Sequence, residues 1–176
     1  MASSASALIL PSDGIAWPLD VSKIRRVGDS VTNKRPGSGR PHRGIDIFAA
    51  AGTPIVSASA GLVSRVVDGR FSGEEHRKRA GLYIDVTGSG GIIFRYLHLG
   101  SAYVAVGDKI PRGKLLGDIG PSYTSGASDP HLHFEMRVGM DRKFRAGFHP
   151  LRTGLVTKDR EANPYPATTL SGTCRR

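Results

Sequence analysis

Cysteine is almost missing from this chain. Cys174 is the only one in 176 residues, so no internal disulfide can brace the fold and cysteine usage does not set the redox compartment. A thiol nucleophile would need a partner histidine, and the histidines are grouped elsewhere, so Cys174 reads as a bystander. No run of 18 apolar residues occurs, and no transmembrane helix is expected. No stretch of helical periodicity is long enough to build a bundle, and a His-Glu-x-x-His segment is absent, which argues against a metal site carried on one helix. Acidic residues are also in deficit: 15 Asp plus Glu face 25 Lys plus Arg, a net charge of +10 with a pI near 10.3. A surface of that sign attracts polyanions. Nucleic acid is one of them, yet no recognition helix is visible and aromatics, 7% of the chain, are few near the basic clusters, so no specific nucleic acid binding is expected.

Turn formers are abundant instead, with 23 glycines and 11 prolines. The length suits one small domain, and the profile is mainly β. Leu82, Ile84 and Val86 alternate with Tyr83, Asp85 and Thr87; Ile92, Phe94, Tyr96 and His98 alternate with Ile93, Arg95, Leu97 and Leu99. Gly88-Ser89-Gly90-Gly91 between them reads as a hairpin turn, and this pattern places His98 near a strand end in line with Phe94 and Tyr96. Residues 106–116 read as a turn between two short strands, similar to the hairpin of biotinyl/lipoyl-carrier domains but without a Met-Lys-Met signal at its tip. The expected fold is a compact antiparallel β-sheet domain with a central metal groove and few short helices. Residues 1–13 are expected to be a flexible segment, 14–155 the folded domain with its motif core at 42–135, and 156–176 a basic tail; the chain is expected to be a monomer.

Chemistry concentrates in three segments: His42-Arg43-Gly44-Ile45-Asp46, Tyr96-Leu97-His98-Leu99 and His131-Leu132-His133. Side chains alternate along a strand, so His131 and His133 project from one side about 7 Å apart. Glu135 joins them there, while Leu132, Phe134 and Met136 form the opposite, oily face. Two imidazoles and a carboxylate with an open position suit a catalytic zinc ion. His42 and Asp46 with one histidine of the triplet would supply these ligands; alternation alone does not choose between His131 and His133. His76, in a polar loop beside Arg77-Lys78-Arg79, reads as a solvated residue.

The order His-x-x-x-Asp, then Tyr-x-His-Leu, then His-x-His resembles the lysostaphin/LytM-type zinc endopeptidases, which cut the peptide part of bacterial peptidoglycan. Ala51-Gly52-Thr53-Pro54-Ile55 and Ala60-Gly61-Leu62-Val63 extend the resemblance, which covers about half of the chain from His42 to Glu135. It implies that His42, Asp46 and His133 bind one zinc ion and that His98 and His131 act in catalysis. The partners it implies are peptidoglycan stem or cross-bridge peptides, with anionic cell-envelope polymers met through the basic surface. Action at the bacterial wall or periplasm is expected. Residues 1–13 lack a positive start and a full apolar run, so no export signal is read there, which suits a phage lysin or a domain of a longer exported protein. One departure stands out: relatives commonly carry Phe-Gly-x-Arg upstream of the first histidine, whereas residues 27–35 differ and no tyrosine lies between Trp17 and His42. A degenerate relative that only binds the wall or activates an amidase is the alternative, but such relatives lose ligands and all five positions are present here.

Overall fold

The computed structural model describes residues 15–28, 42–71, 73, 79–121 and 129–138. The two terminal segments, His76, Cys174 and most of residues 27–41, on which several expectations above fall, lie outside them.

Nine strands form the described fold: β1 (Arg26–Val27), β2 (Ile45–Phe48), β3 (Pro54–Val56), β4 (Gly61–Asp68), β5 (Leu82–Thr87), β6 (Ile92–Ala102), β7 (Lys109–Ile110), β8 (Leu115–Ile119) and β9 (His131–Val138). Two short 3₁₀ turns accompany them, Val21–Lys23 before β1 and Ser89–Gly91 between β5 and β6. Neighbouring strands run antiparallel in the order β1-β2-β9-β6-β5-β4-β7. The expected hairpin joins β5 to β6 and closes where the Gly88 N–H donates to the Ile92 carbonyl at 2.8 Å. Gly90 and Gly91 sit at φ 66° and 71°, a backbone region that glycine enters without steric cost. The two short strands at residues 106–116, β7 and the start of β8, do not pair with each other: β7 pairs with β4, while β8 pairs with β3 and with the end of β6.

The pleat separates two faces. Ile45 lies opposite Phe134 and Ile47 opposite Leu132, while Tyr96 and Phe94 meet Phe134 and Met136 across the β6–β9 ladder. All of these are buried in one core, closed from the other side by Ile15, Trp17, Leu19, Ile55, Leu116 and Ile119. Each such side chain contributes on the order of 1.5–3 kcal/mol by leaving water. Tyr96 brings a hydroxyl into this core and satisfies it by accepting the Ala58 N–H at 2.8 Å. Burial also pushes the phenol well above its ordinary pKa, so it stays a neutral packing group.

The opposite face is polar and runs in rows across the strands. One row reads Asp46, His133, Leu97, Tyr83; the next reads Glu135, Arg95, Asp85, Arg65. Strand β6 serves both parts of the fold. Its first half lies between β5 and β9, and beyond a bulge its last residues, Leu99 to Ala102, turn to β8.

Candidate metal centre

The β2–β9 ladder sets Asp46 directly opposite His133 and Phe48 opposite His131. Just before β2, His42 is buried, and its Nε2 lies 3.1 Å from Asp46 Oδ1 and 3.0 Å from His133 Nδ1. His133 Nδ1 lies 2.6 Å from the same carboxylate oxygen. One oxygen and two imidazole nitrogens therefore share one point, and all three ligand-type atoms fall within 4.8 Å of one another. The set matches the donor preferences of zinc, and the tight convergence of buried donors fits a metal ion without rearranging the strands. Gly44 makes this approach possible: a Cβ there would stand 2.3 Å from the Phe134 carbonyl and 3.0 Å from His133 Nε2.

His131 stands beside the trio. Its Nε2 is 3.8 Å from Asp46 Oδ1, and its ring packs on Phe48 at 5.0 Å between centroids. Its Nδ1 lies 3.0 Å from the carbonyl of Asp129. Because a carbonyl can only accept, Nδ1 carries the proton in the neutral ring and Nε2 is left as an acceptor facing the trio.

The fifth residue arrives by a different route from the one alternation predicts. In line with Phe94 and Tyr96, His98 would enter the core. It does not. Leu82 pairs with Leu99 and Tyr83 with Leu97, so His98 is the unmatched residue of a β-bulge, and its φ is 68°. Among the described residues it is the one non-glycine with positive φ. The bulge turns its ring to the polar face, edge-on to His131 at 4.9 Å and 5.9 Å from His133. All five sequence-singled residues thus gather on one floor.

The sequence reading set Glu135 on this face without giving it a role, and gave none to Arg137, Arg95 or Asp85. Glu135 Oε1 lies 3.0 Å from His133 Nε2, and its second oxygen accepts from Arg137 Nε at 2.6 Å. Arg95 grips Asp85 with Nε and Nη2, both at 2.6 Å, and lies over the Tyr83 ring at 4.7 Å. Alternation along residues 131–137 already aligns Glu135 and Arg137 with the histidines; the Arg95 and Asp85 partnership needs the cross-strand register, which sequence alone does not give.

These contacts shape the charges. Burial would raise the Asp46 carboxyl, but the hydrogen bonds with His133 and His42 outweigh it and hold it well below the usual carboxylate range. Burial would lower His133; its bonds to Asp46 and Glu135 prevail and carry it up to about 9. Burial would likewise raise Glu135, yet His133, Arg137 and Arg95 bring it down to about 2. Without a metal, His133 is therefore a cation clamped between two carboxylates. In that arrangement Glu135 also fixes which nitrogen faces the trio, as a carboxylate behind a histidine ligand does.

Comparison with known proteins places this geometry. The model of Peptidase family M23 matches residues 40–144. Peptidoglycan DD-endopeptidase ShyC of Vibrio cholerae is 32% identical over 149 residues, covering 82% of this chain and 31% of that protein. Cell division protein DipM of Caulobacter vibrioides is 30% identical over 141 residues, 80% of this chain and 20% of the relative. The chain therefore spans about a third or less of the length of these curated relatives. Among solved structures, the catalytic domain of the antimicrobial peptidase lysostaphin from Staphylococcus simulans superposes with a TM-score of 0.61 at 25% identity, over 74% of this chain and 92% of that one. A zinc containing peptidase from Vibrio cholerae gives 0.56 at 28% identity, over 69% and 36%.

Proposed function

The chain belongs to peptidase family M23, a family of metallopeptidases, and from that premise we propose that it is a zinc-dependent endopeptidase cutting peptide bonds in the stem or cross-bridge peptides of bacterial peptidoglycan, at the wall or in the periplasm. The observation that carries this reading is the convergence of His42 Nε2, Asp46 Oδ1 and His133 Nδ1 on one buried point with two further histidines beside it.

In this reading His42, Asp46 and His133 hold the metal. A bound zinc ion supplies Lewis acidity toward a scissile carbonyl and lowers the pKa of water toward about 7. Glu135 accepts the Nε2 proton of His133 and keeps Nδ1 turned to His42 and Asp46, where it would be free to bind a metal. His131, with its Nδ1 proton committed to the Asp129 carbonyl, offers Nε2 to take a proton from the attacking water and return it to the leaving amine. His98, edge-on to His131, donates to the oxygen on which negative charge develops. Retention of both these histidines alongside the trio favours an active enzyme over a wall-binding relative.

The test compares metal content with hydrolysis. The purified protein should hold about one zinc per chain, and loading the chelator-treated form at pH 7 should release protons, because His133 titrates near 9 without metal. His42→Ala and Asp46→Ala should lose the ion. His98→Ala and His131→Ala should keep it while hydrolysis of muropeptides falls on the order of 10²-fold or more. Loss of zinc from either of the last two would exchange the roles, and a wild-type protein that takes up no zinc would end the reading.

A further inference from the structure

Next to the donor trio, on the same polar face, lies a groove of about 780 Å³ whose lining includes Arg43, Arg65, Arg95, Arg137, Tyr83 and Leu97. Among the described residues, four guanidinium groups line it and no acidic residue does. Two carboxylates lie beneath: Asp85, 1% exposed, under Arg95, and Glu135, 4% exposed, under Arg137. These buried acids neutralise two arginines and fix their direction. Arg65, at the end of the row that reads Glu135, Arg95, Asp85, Arg65, is exposed and forms no ion pair among the described residues. Asp85 occupies only two N–H groups of Arg95, so three of its five donors face elsewhere.

The position of this row decides what it can read. Leu97 and Tyr83 extend the row of Asp46 and His133, and the arginine row is one pleat repeat away along the strands, about 7 Å. That is two residues of an extended peptide. Building on the peptidase reading, we propose that the groove recognises a carboxylate within about two residues of the bond being cut, so that the enzyme selects acidic stem-peptide cross-links over a neutral glycine bridge. A glycine bridge offers these guanidinium donors only neutral backbone carbonyls. An acidic peptide forms charge-assisted hydrogen bonds with the same donors, stronger than neutral ones and geometrically selective.

The experiment uses the zinc-loaded protein and a matched set of short cross-linked stem peptides: one with all carboxylates free, one with the side-chain carboxylates amidated, one with only the terminal carboxyl amidated, and a glycine bridge of equal length. The expected ratio of kcat/KM for the free acid over the amidated peptide that lacks the recognised group is about 10-fold or more. The two amidated arms identify which carboxylate is read. In Arg65→Gln and Arg43→Gln the ratio should fall toward one, and Arg65→Lys should restore part of it. A ratio is insensitive to loss of folded protein, so an unstable variant does not obscure the result. Equal hydrolysis of acidic and neutral peptides by the wild type would overturn the groove assignment and leave the peptidase reading standing; hydrolysis of none of them would instead count against the peptidase reading. Competition by poly(glycerol phosphate) that Arg65→Gln abolishes, without any preference between peptides, would give the groove to a phosphate polymer and also overturn the proposal.

Discussion

His98 is the residue whose chemistry and backbone are hardest to separate. An L-residue at φ 68° costs roughly 1–2 kcal/mol relative to its ordinary conformations, because Cβ crowds the following carbonyl. The fold tolerates this cost at the position where the imidazole must leave the core row of Phe94 and Tyr96 for the histidine floor. His98→Gly should therefore be more stable than His98→Ala by about 1 kcal/mol in urea unfolding, since both remove the ring but only glycine removes the strain. Both should lose hydrolysis alike. An alanine variant as stable as the glycine one would mean that the bulge carries no strain. The importance of His98 was legible in the Tyr-x-His-Leu segment, as were the shared face of His131, His133 and Glu135 and the pairing of His42 with Asp46 at four residues' spacing. Its direction was not, because strict period-2 alternation has no way to express an unmatched residue. The bulge exists only relative to the partner strand, where Leu82 and Tyr83 sit opposite Leu99 and Leu97.

At the scale of elements, the β2–β9 ladder builds the donor trio. A slip of one residue would exchange Asp46 for Ile45 or Ile47 on the polar face and dissolve the site. Gly44 guards the entry to β2, where any Cβ would meet the Phe134 carbonyl and Glu135 Cγ at 2.3 and 2.9 Å. Gly44→Ala should cost about 1–3 kcal/mol, the usual range for overpacking, and should lower metal retention with it, as read by thermal unfolding and by zinc content after dialysis. Gly52→Ala is the control: φ there is +80° with nothing within 4 Å, so it adds local strain while the metal should be kept. Full zinc retention in Gly44→Ala would show that the two strands can part without disturbing the donors. The strands themselves were readable wherever apolar residues alternate, as in β5, β6 and β9. Their neighbours were not. Short strands such as β7 and β8 read as one hairpin along the chain, yet they pair with β4 and with β3 and β6, because non-local partners are selected by core packing and leave no local mark.

For the molecule as a whole, the +10 charge predicts a salt effect that depends on the size of the substrate. Hydrolysis of intact sacculi should fall steeply between about 0.05 and 0.5 M salt, as the Debye length shrinks toward a few ångströms, while hydrolysis of a short neutral peptide should change little. Equal sensitivity would leave the charge a matter of solubility alone. The sign and size of that charge were plain from composition, whereas its concentration into a four-arginine groove required the register of β4, β5, β6 and β9. The same register has a temporal side. His42 and Asp46 meet His133 at sequence separations of 91 and 87, and such distant pairings make the folding of β proteins slow. A nascent or partly opened chain has its three donors apart. A ligand held only by the completed fold then stabilises it in turn, by about 4 kcal/mol at a thousandfold excess over its dissociation constant. Under the proposed reading, assembly of the donor trio and completion of the fold thus arrive as a single event, and hydrolytic competence would come only with the finished sheet.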